Sequence, residues 1–233
     1  MRIIDSFAIA SLLTVGFTAP SLAATIANGS FETPALSPGG AQGFAAGSSI
    51  GGWNVLGGGV VLLETTYSES APNSINAFTA AEGFNSLDLT GSGNTGTDSG
   101  VEQAIATNAG EVYRLAFSVG VANGGPVYQT PSSLGLSIDS GSRIAFTNST
   151  FSAGTVNWQS YFYDFTATSG STSIAFLNST LDNNFVGLDN VQISTISSAA
   201  SVPEPFTIIG SIVGGSAAFR MRKKLKSNST DKN

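Results

Sequence analysis

Cysteine and histidine are both absent from the 233 residues. With them go Cys nucleophiles, Cys/His zinc sites and any Ser-His-Asp triad. No disulfide can staple the fold either. Basic side chains are almost missing from the middle of the chain. Residues 24–200 contain only Arg114 and Arg143 against twelve carboxylates, a net charge of −10, whereas the whole chain stands at −6. Such a surface repels phosphate backbones, which excludes nucleic acid as a partner, and it attracts divalent cations. Charged residues are only 10% of the chain, but hydrophobic residues reach 41%. That balance belongs to a foldable, β-rich chain rather than a disordered one.

The two ends differ from the middle. Arg2 opens a short basic region, Phe7 to Ala19 is apolar, and Ser21-Leu22-Ala23 supplies the small residues a signal peptidase requires. Residues 1–23 therefore read as a signal peptide. At the other end Pro203-Glu204-Pro205 precedes an apolar run, 206–219, and then Arg220, Arg222, Lys223, Lys224 and Lys226. As a helix that run would extend about 21 Å. It needs snorkelling basic side chains to match a hydrocarbon core of about 30 Å. The basic cluster would stay cytoplasmic and leave the large domain outside. This order of parts resembles the PEP-CTERM sorting signal of Gram-negative bacteria. The resemblance implies recognition of residues 201–233 by an exosortase, passage along the outer face of the inner membrane, and delivery to the cell surface or extracellular matrix. It also implies an association with exopolysaccharide.

Between the ends, residues 24–200 read as one ectodomain of short strands broken by turn-rich loops. In Glu111–Val119, Tyr113, Leu115, Phe117 and Val119 share one face, the alternation of a half-buried strand. Eight further strands are expected at 59–64, 84–89, 101–105, 134–138, 143–147, 157–167, 172–177 and 185–194. Loops are expected at 33–52, 91–99, 121–133 and 178–183, which are rich in Gly, Pro, Asn and Ser. No helical period stands out in this region. The expectation is an all-β antiparallel sandwich of jelly-roll type. In the last strand Asp189 has the parity of Phe185, Val191 and Ile193, toward the core or its rim, although Val186 and Leu188 are apolar on the opposite parity. A buried carboxylate needs a partner, and with two bases in the whole domain a cation is a natural candidate. Calcium suits oxygen ligands.

Asn28-Gly29-Ser30-Phe31-Glu32, Gly52-Trp53, Ser86-Leu87-Asp88-Leu89, Gln103, Gly110-Glu111-Val112-Tyr113, Trp158 and Gly187-Leu188-Asp189-Asn190-Val191 follow one another in an order that resembles the galactose-binding-like jelly rolls. Within them it is most similar to the choice-of-anchor C group and to carbohydrate-binding modules of plant-cell-wall hydrolases. The resemblance implies a structural calcium held by Glu32 and Asp189, with a carbonyl near Asn85 or Ser86 completing the shell. The alternative for the two acids is plainer: Glu32 caps a turn and Asp189 accepts backbone N–H groups.

Sugars are held by an aromatic face with amide or carboxylate partners. Candidates are Trp53, Tyr67, Tyr128 and Trp158. The two tryptophans match landmarks of the resembled group that read as core, whereas Tyr67 and Tyr128 sit in loop contexts. The expected function is a non-catalytic, surface-sorted module that binds carbohydrate in the extracellular matrix. The alternative is a calcium-dependent structural matrix protein without sugar specificity. An enzyme is the third class; the chain carries no cofactor motif and no histidine for acid–base chemistry.

Overall fold

Alternating apolar residues with frequent glycine turns give twelve strands in the computed structural model, which describes residues 23–91, 98–180 and 185–196. They are β1 (Ala41–Phe44), β2 (Ser49–Ile50), β3 (Trp53–Leu56), β4 (Val60–Glu64), β5 (Asn85–Asp88), β6 (Gly100–Ala106), β7 (Val112–Asn123), β8 (Ser132–Ile138), β9 (Ile144–Asn148), β10 (Thr155–Thr166), β11 (Ser171–Asn178) and β12 (Gly187–Thr195). No helix occurs among the described residues. The first sheet has the order β1-β4-β5-β12-β7-β10, the second β2-β3-β6-β11-β8-β9. The strand pairs within both sheets are antiparallel. The chain is thus the all-β antiparallel sandwich expected. Residues 1–22 of the export segment, and the whole sorting tail with Pro203, Glu204, Pro205, Arg220, Arg222, Lys223 and Lys224, lie outside the described residues.

The core lies between the sheets. Tyr113, Leu115, Phe117 and Val119 of β7 are all buried there, as their shared parity requires. Trp53, Val55, Val101, Leu134, Leu136 and Phe176 meet them from the second sheet. Each of the nine expected strands is present. Three more, β1 to β3, run through 41–56, most of which was expected to be loop. Gly and other small residues are frequent in that stretch, and strands of two to four residues leave too short a period to stand out against them.

The segment before β1 is tied down by local chemistry rather than by strand pairing. Asn28 exchanges two hydrogen bonds with Thr33, its Nδ2 donating to the carbonyl at 2.7 Å and its Oδ1 accepting from the N–H at 2.9 Å. The Trp53 indole N–H donates to the Asn28 carbonyl, and Phe31 packs on the indole with centroids 5.8 Å apart. The Gln103 side-chain amide pairs with both backbone groups of Ala27. These contacts give the Asn28–Glu32 motif its place.

The outer face of the first sheet is also apolar, and this positions the site. Val61 and Leu63 of β4, Ala122 of β7, Val156 and Trp158 of β10, and Phe185 form a second cluster there. The long β4–β5 connection folds across it and contributes Ile75 and Phe78. Glycines make room for the bulkiest member. Gly187 pairs with Gly120, and Gly120 with Trp158, across three adjacent strands. A Cβ on either glycine would come within 2.8 Å of the indole. The Trp158 N–H donates to the Thr79 carbonyl at 2.7 Å, which fixes the covering segment to the sheet.

Candidate functional site

A cleft of about 340 Å³ opens on this outer face. Ala41 and Gly43 of β1, Val61 and Leu63 of β4, and Asp88 of β5 form its floor and side, while Tyr67, Glu69 and Phe78 come from the β4–β5 connection and Tyr128 from the β7–β8 connection. The rings form a contiguous array, with Phe78 5.5 Å from Tyr67 and 5.7 Å, edge-on, from Tyr128. Phe78 is buried and anchors the two tyrosines, which are half-buried and reach the cleft. The Tyr128 hydroxyl donates to Glu69 Oε1 at 3.0 Å, and the Asn73 amide donates to Glu69 Oε2 at 2.6 Å. Asp88 Oδ1 accepts from the Thr90 N–H and hydroxyl and from the Val186 N–H. No described donor reaches its Oδ2.

The electrostatics of the cleft follow from burial and crowding of acids. Burial pushes the Asp88 carboxyl up to about 7, against the Thr90 and Val186 bonds that favour its charged form, and Glu69 adds to the rise. Burial first, and the Glu69 carboxylate second, push the Tyr67 and Tyr128 phenols above their ordinary value.

The structure separates the other candidate residues from this cleft. Trp53 is wholly buried between the sheets, against Phe31 and Phe176, and its indole N–H is taken by Asn28. Its expected contact with a ligand is therefore corrected: the ring has no exposed face. Trp158 belongs to the outer cluster and supports the loop that walls the cleft.

Asp189 and Glu32 converge on one segment of the β4–β5 connection. Asp189 Oδ2 accepts from the N–H groups of Ala81 and Glu82 at 2.8 and 3.0 Å, and Oδ1 from that of Asn190. Glu32 Oε1 accepts from the N–H groups of Phe84 and Asn85 at 2.8 and 2.9 Å. Gly83 sits against that carboxylate, where any Cβ would collide with Oε1. The expected parity of Asp189 holds with Phe185 but not with Val191 and Ile193. The β12–β7 register shifts between Asp189 and Gln192, with Asn190 at φ 52. This bulge turns Val191 back to the inter-sheet core, while Asp189 stays on the outer face with Phe185, fully buried. Burial pushes Asp189 up to about 7, partly offset by its N–H donors.

A family model described as a protein of unknown function (DUF642) matches residues 24–194, which is the whole sandwich and its outer-face cleft. The chain belongs to the DUF642 family. No curated protein sequence matches it. Among solved structures, the DUF642 domain is similar to the CBM22-1 xylan-binding domain of Paenibacillus barcinonensis Xyn10C, with 18% identity and a TM-score of 0.43 over 70% of this chain and 97% of that one. It is similar to CBM35 of Cellvibrio japonicus Abf62, with 20% identity and a TM-score of 0.35 over 57% and 91%. It also matches 28% of the Podospora anserina GH26-CBM35 β-(1,4)-mannanase, at 11% identity and a TM-score of 0.38 over 59% of this chain. Scores and identities this low assign no ligand and no residue role.

Sequence reasoning had picked out Tyr67 and Tyr128 of the DUF642 domain but not Glu69 or Asp88. Glu69 follows Tyr67 by two residues in a Ser- and Asn-rich loop, and that spacing was a usable signal. Asp88 gave none, because it reaches the cleft only through the pairing of β4 with β5.

Proposed function

We propose that this DUF642 domain is a non-catalytic carbohydrate-binding module, exported and sorted to the cell surface, and that the outer-face cleft is its ligand site. The observation that supports this most is the convergence of Tyr67 and Tyr128, carried by two different loops, on one cleft with Glu69 and Asp88. Rings offer the apolar faces of a sugar a flat partner, and carboxylates accept from its hydroxyls. A glycan array probed with the purified chain tests the reading. Selective binding that falls at least about tenfold with Tyr67→Ala or Tyr128→Ala is expected. No binding by a folded sample would leave the structural matrix role as the better reading.

The targeting part of the proposal rests on the signal-like segment and the Pro203-Glu204-Pro205 tail, with signal peptidase and an exosortase as processing partners and a membrane contact through 206–219. Pulse labelling would show two size reductions on export, and a Glu204→Ala chain that is still shortened at its C-terminal end would count against exosortase recognition.

Calcium at Glu32 and Asp189 stays a proposal of the same kind. In its favour, Asn85 Oδ1 and Ser86 Oγ are buried without a partner next to the Glu32 contact, and hard oxygens of this sort suit calcium. Asp189 fits less well, since three backbone N–H groups already fill its oxygens and a cation would have to displace some of them. Among the described residues no three acidic side chains come together. Thermal melts in calcium and in chelator decide: a calcium-dependent rise that Glu32→Gln abolishes supports the ion. Identical melts leave both carboxylates as anchors of the 81–85 segment.

A further inference from the structure

The cleft carries negative charge that the described protein does not answer. Its titratable groups are Tyr67 and Glu69 from the β4–β5 connection, Asp88 from β5 and Tyr128 from the β7–β8 connection, with no lysine or arginine among the lining residues. The only two bases of the sandwich are engaged elsewhere. Arg114 forks onto Asp164 with two bonds of 2.8 Å and lies 4.4 Å over the Phe162 ring, and Arg143 pairs with Asp98. A neutral hydroxyl answers a carboxylate with a dipole, but two acids crowded into a half-enclosed site favour a full positive charge.

A second observation, independent of the charge, points the same way. The cleft is also lined by rings, with Phe78 tilted against Tyr67 and edge-on to Tyr128. Ring faces attract an ammonium group electrostatically, most strongly where water is partly excluded. Among the described residues no third acidic side chain joins Glu69 and Asp88, so the cleft gives a metal ion few carboxylate ligands, whereas an ammonium group can use both the acids and the rings. Glu69 is held in place by Tyr128 and Asn73, while Asp88 keeps Oδ2 without a described donor. One carboxylate is thus pre-oriented and the other has an oxygen to give.

Resting on the carbohydrate reading above, we propose that the cleft selects an amine-bearing sugar, a hexosamine with a free ammonium group within a glycan chain. The ammonium sits between Asp88 Oδ2 and Glu69, and the pyranose face packs on the tyrosines. A uronic acid would bring further negative charge beside Glu69 and Asp88 and is rejected. Burial raises the affinity of Asp88 for its proton, and a cation beside it would favour its charged form.

Calorimetric titration of the full chain at neutral pH with three probes tests this. The probes are a glucosamine oligomer, the matching N-acetylglucosamine oligomer and a cello-oligomer. The glucosamine oligomer should bind at least about tenfold tighter than the other two. Its binding should weaken as ionic strength rises from about 0.05 to about 0.5 M, and should be lost in Glu69→Gln and Asp88→Asn. If Asp88→Asn fails to fold, Glu69→Gln decides alone, because Glu69 lies on a surface loop. Equal binding of all three probes, lost in Tyr128→Ala, overturns the amine selectivity and leaves the carbohydrate site standing. No binding of any glycan by folded protein overturns both. A calcium-induced rise in melting temperature that Glu69→Gln removes would make the cleft a metal site and overturn the proposal as well.

Discussion

Single side chains decide how the outer face is built. The Trp158 indole lies over Gly120 and Gly187, and a methyl group on either would sit 2.7 to 2.8 Å from its ring carbons. Gly120→Ala should therefore force the indole off its Thr79 bond and cost about 1–3 kcal/mol. In a domain of this size that is a fall in Tm of roughly 2–12 °C by calorimetry. Gly83 has the same role at the Glu32 carboxylate and is also at φ 67. Trp53 shows the limit of reading one residue at a time. A tryptophan near a loop could face a ligand or the core, and what settles the matter is the Asn28 carbonyl waiting for its N–H. Nothing within the Gly52-Trp53 pair records that partner.

Among the elements, β12 carries the most information and was the hardest to read. Simple alternation from Phe185 puts Asp189 and Val191 on one face, but Asn190 in the left-handed region breaks the register between them. Asn tolerates that conformation and Gly adopts it freely, whereas a β-branched residue does not. Asn190→Gly should melt within a degree or two of the parent, and Asn190→Val should lose about 1–2 kcal/mol. A Val variant as stable as the parent would show that the bulge is not needed. The strand β7 was legible because Tyr113, Leu115, Phe117 and Val119 recur at every second position. The strands β1 to β3 were hidden because their pairing partners lie up to about fifty residues away, as with Asn54 opposite Glu102, and local turn residues outweigh so short a period. Tyr67 and Tyr128 were legible as loop aromatics; their meeting with Asp88 was not, since it depends on which strand lies beside β4.

For the molecule as a whole, two desolvated carboxyls, Asp189 fully buried and Asp88 half-buried, make stability depend on pH. Asp88 and Asp189 both titrate near 7 in the folded chain, above the ordinary carboxylate range. The folded state thus binds protons more tightly than the unfolded one. The resulting stabilisation is complete below about pH 4 and is lost as pH rises through about 7. Metal-free protein should melt roughly 3–10 °C higher at pH 5 than at pH 8, with a smaller difference in Asp88→Asn. A ligand cation in the cleft would reverse the Asp88 part by holding it ionised. The sandwich itself was written in the alternation of its strands. Its function was written less plainly, because the cleft is assembled from two long connections and three sheet strands. The measurement that tests the account most directly is calorimetric titration of glycans into the wild-type chain and into the Tyr67→Ala/Tyr128→Ala double variant, with the fold of each checked by its melt. The account predicts saturable binding by the first and a loss of at least about tenfold, or 1.4 kcal/mol, in the second. Equal binding by both would contradict the cleft as the ligand site, and no binding by the folded wild type would contradict the carbohydrate function.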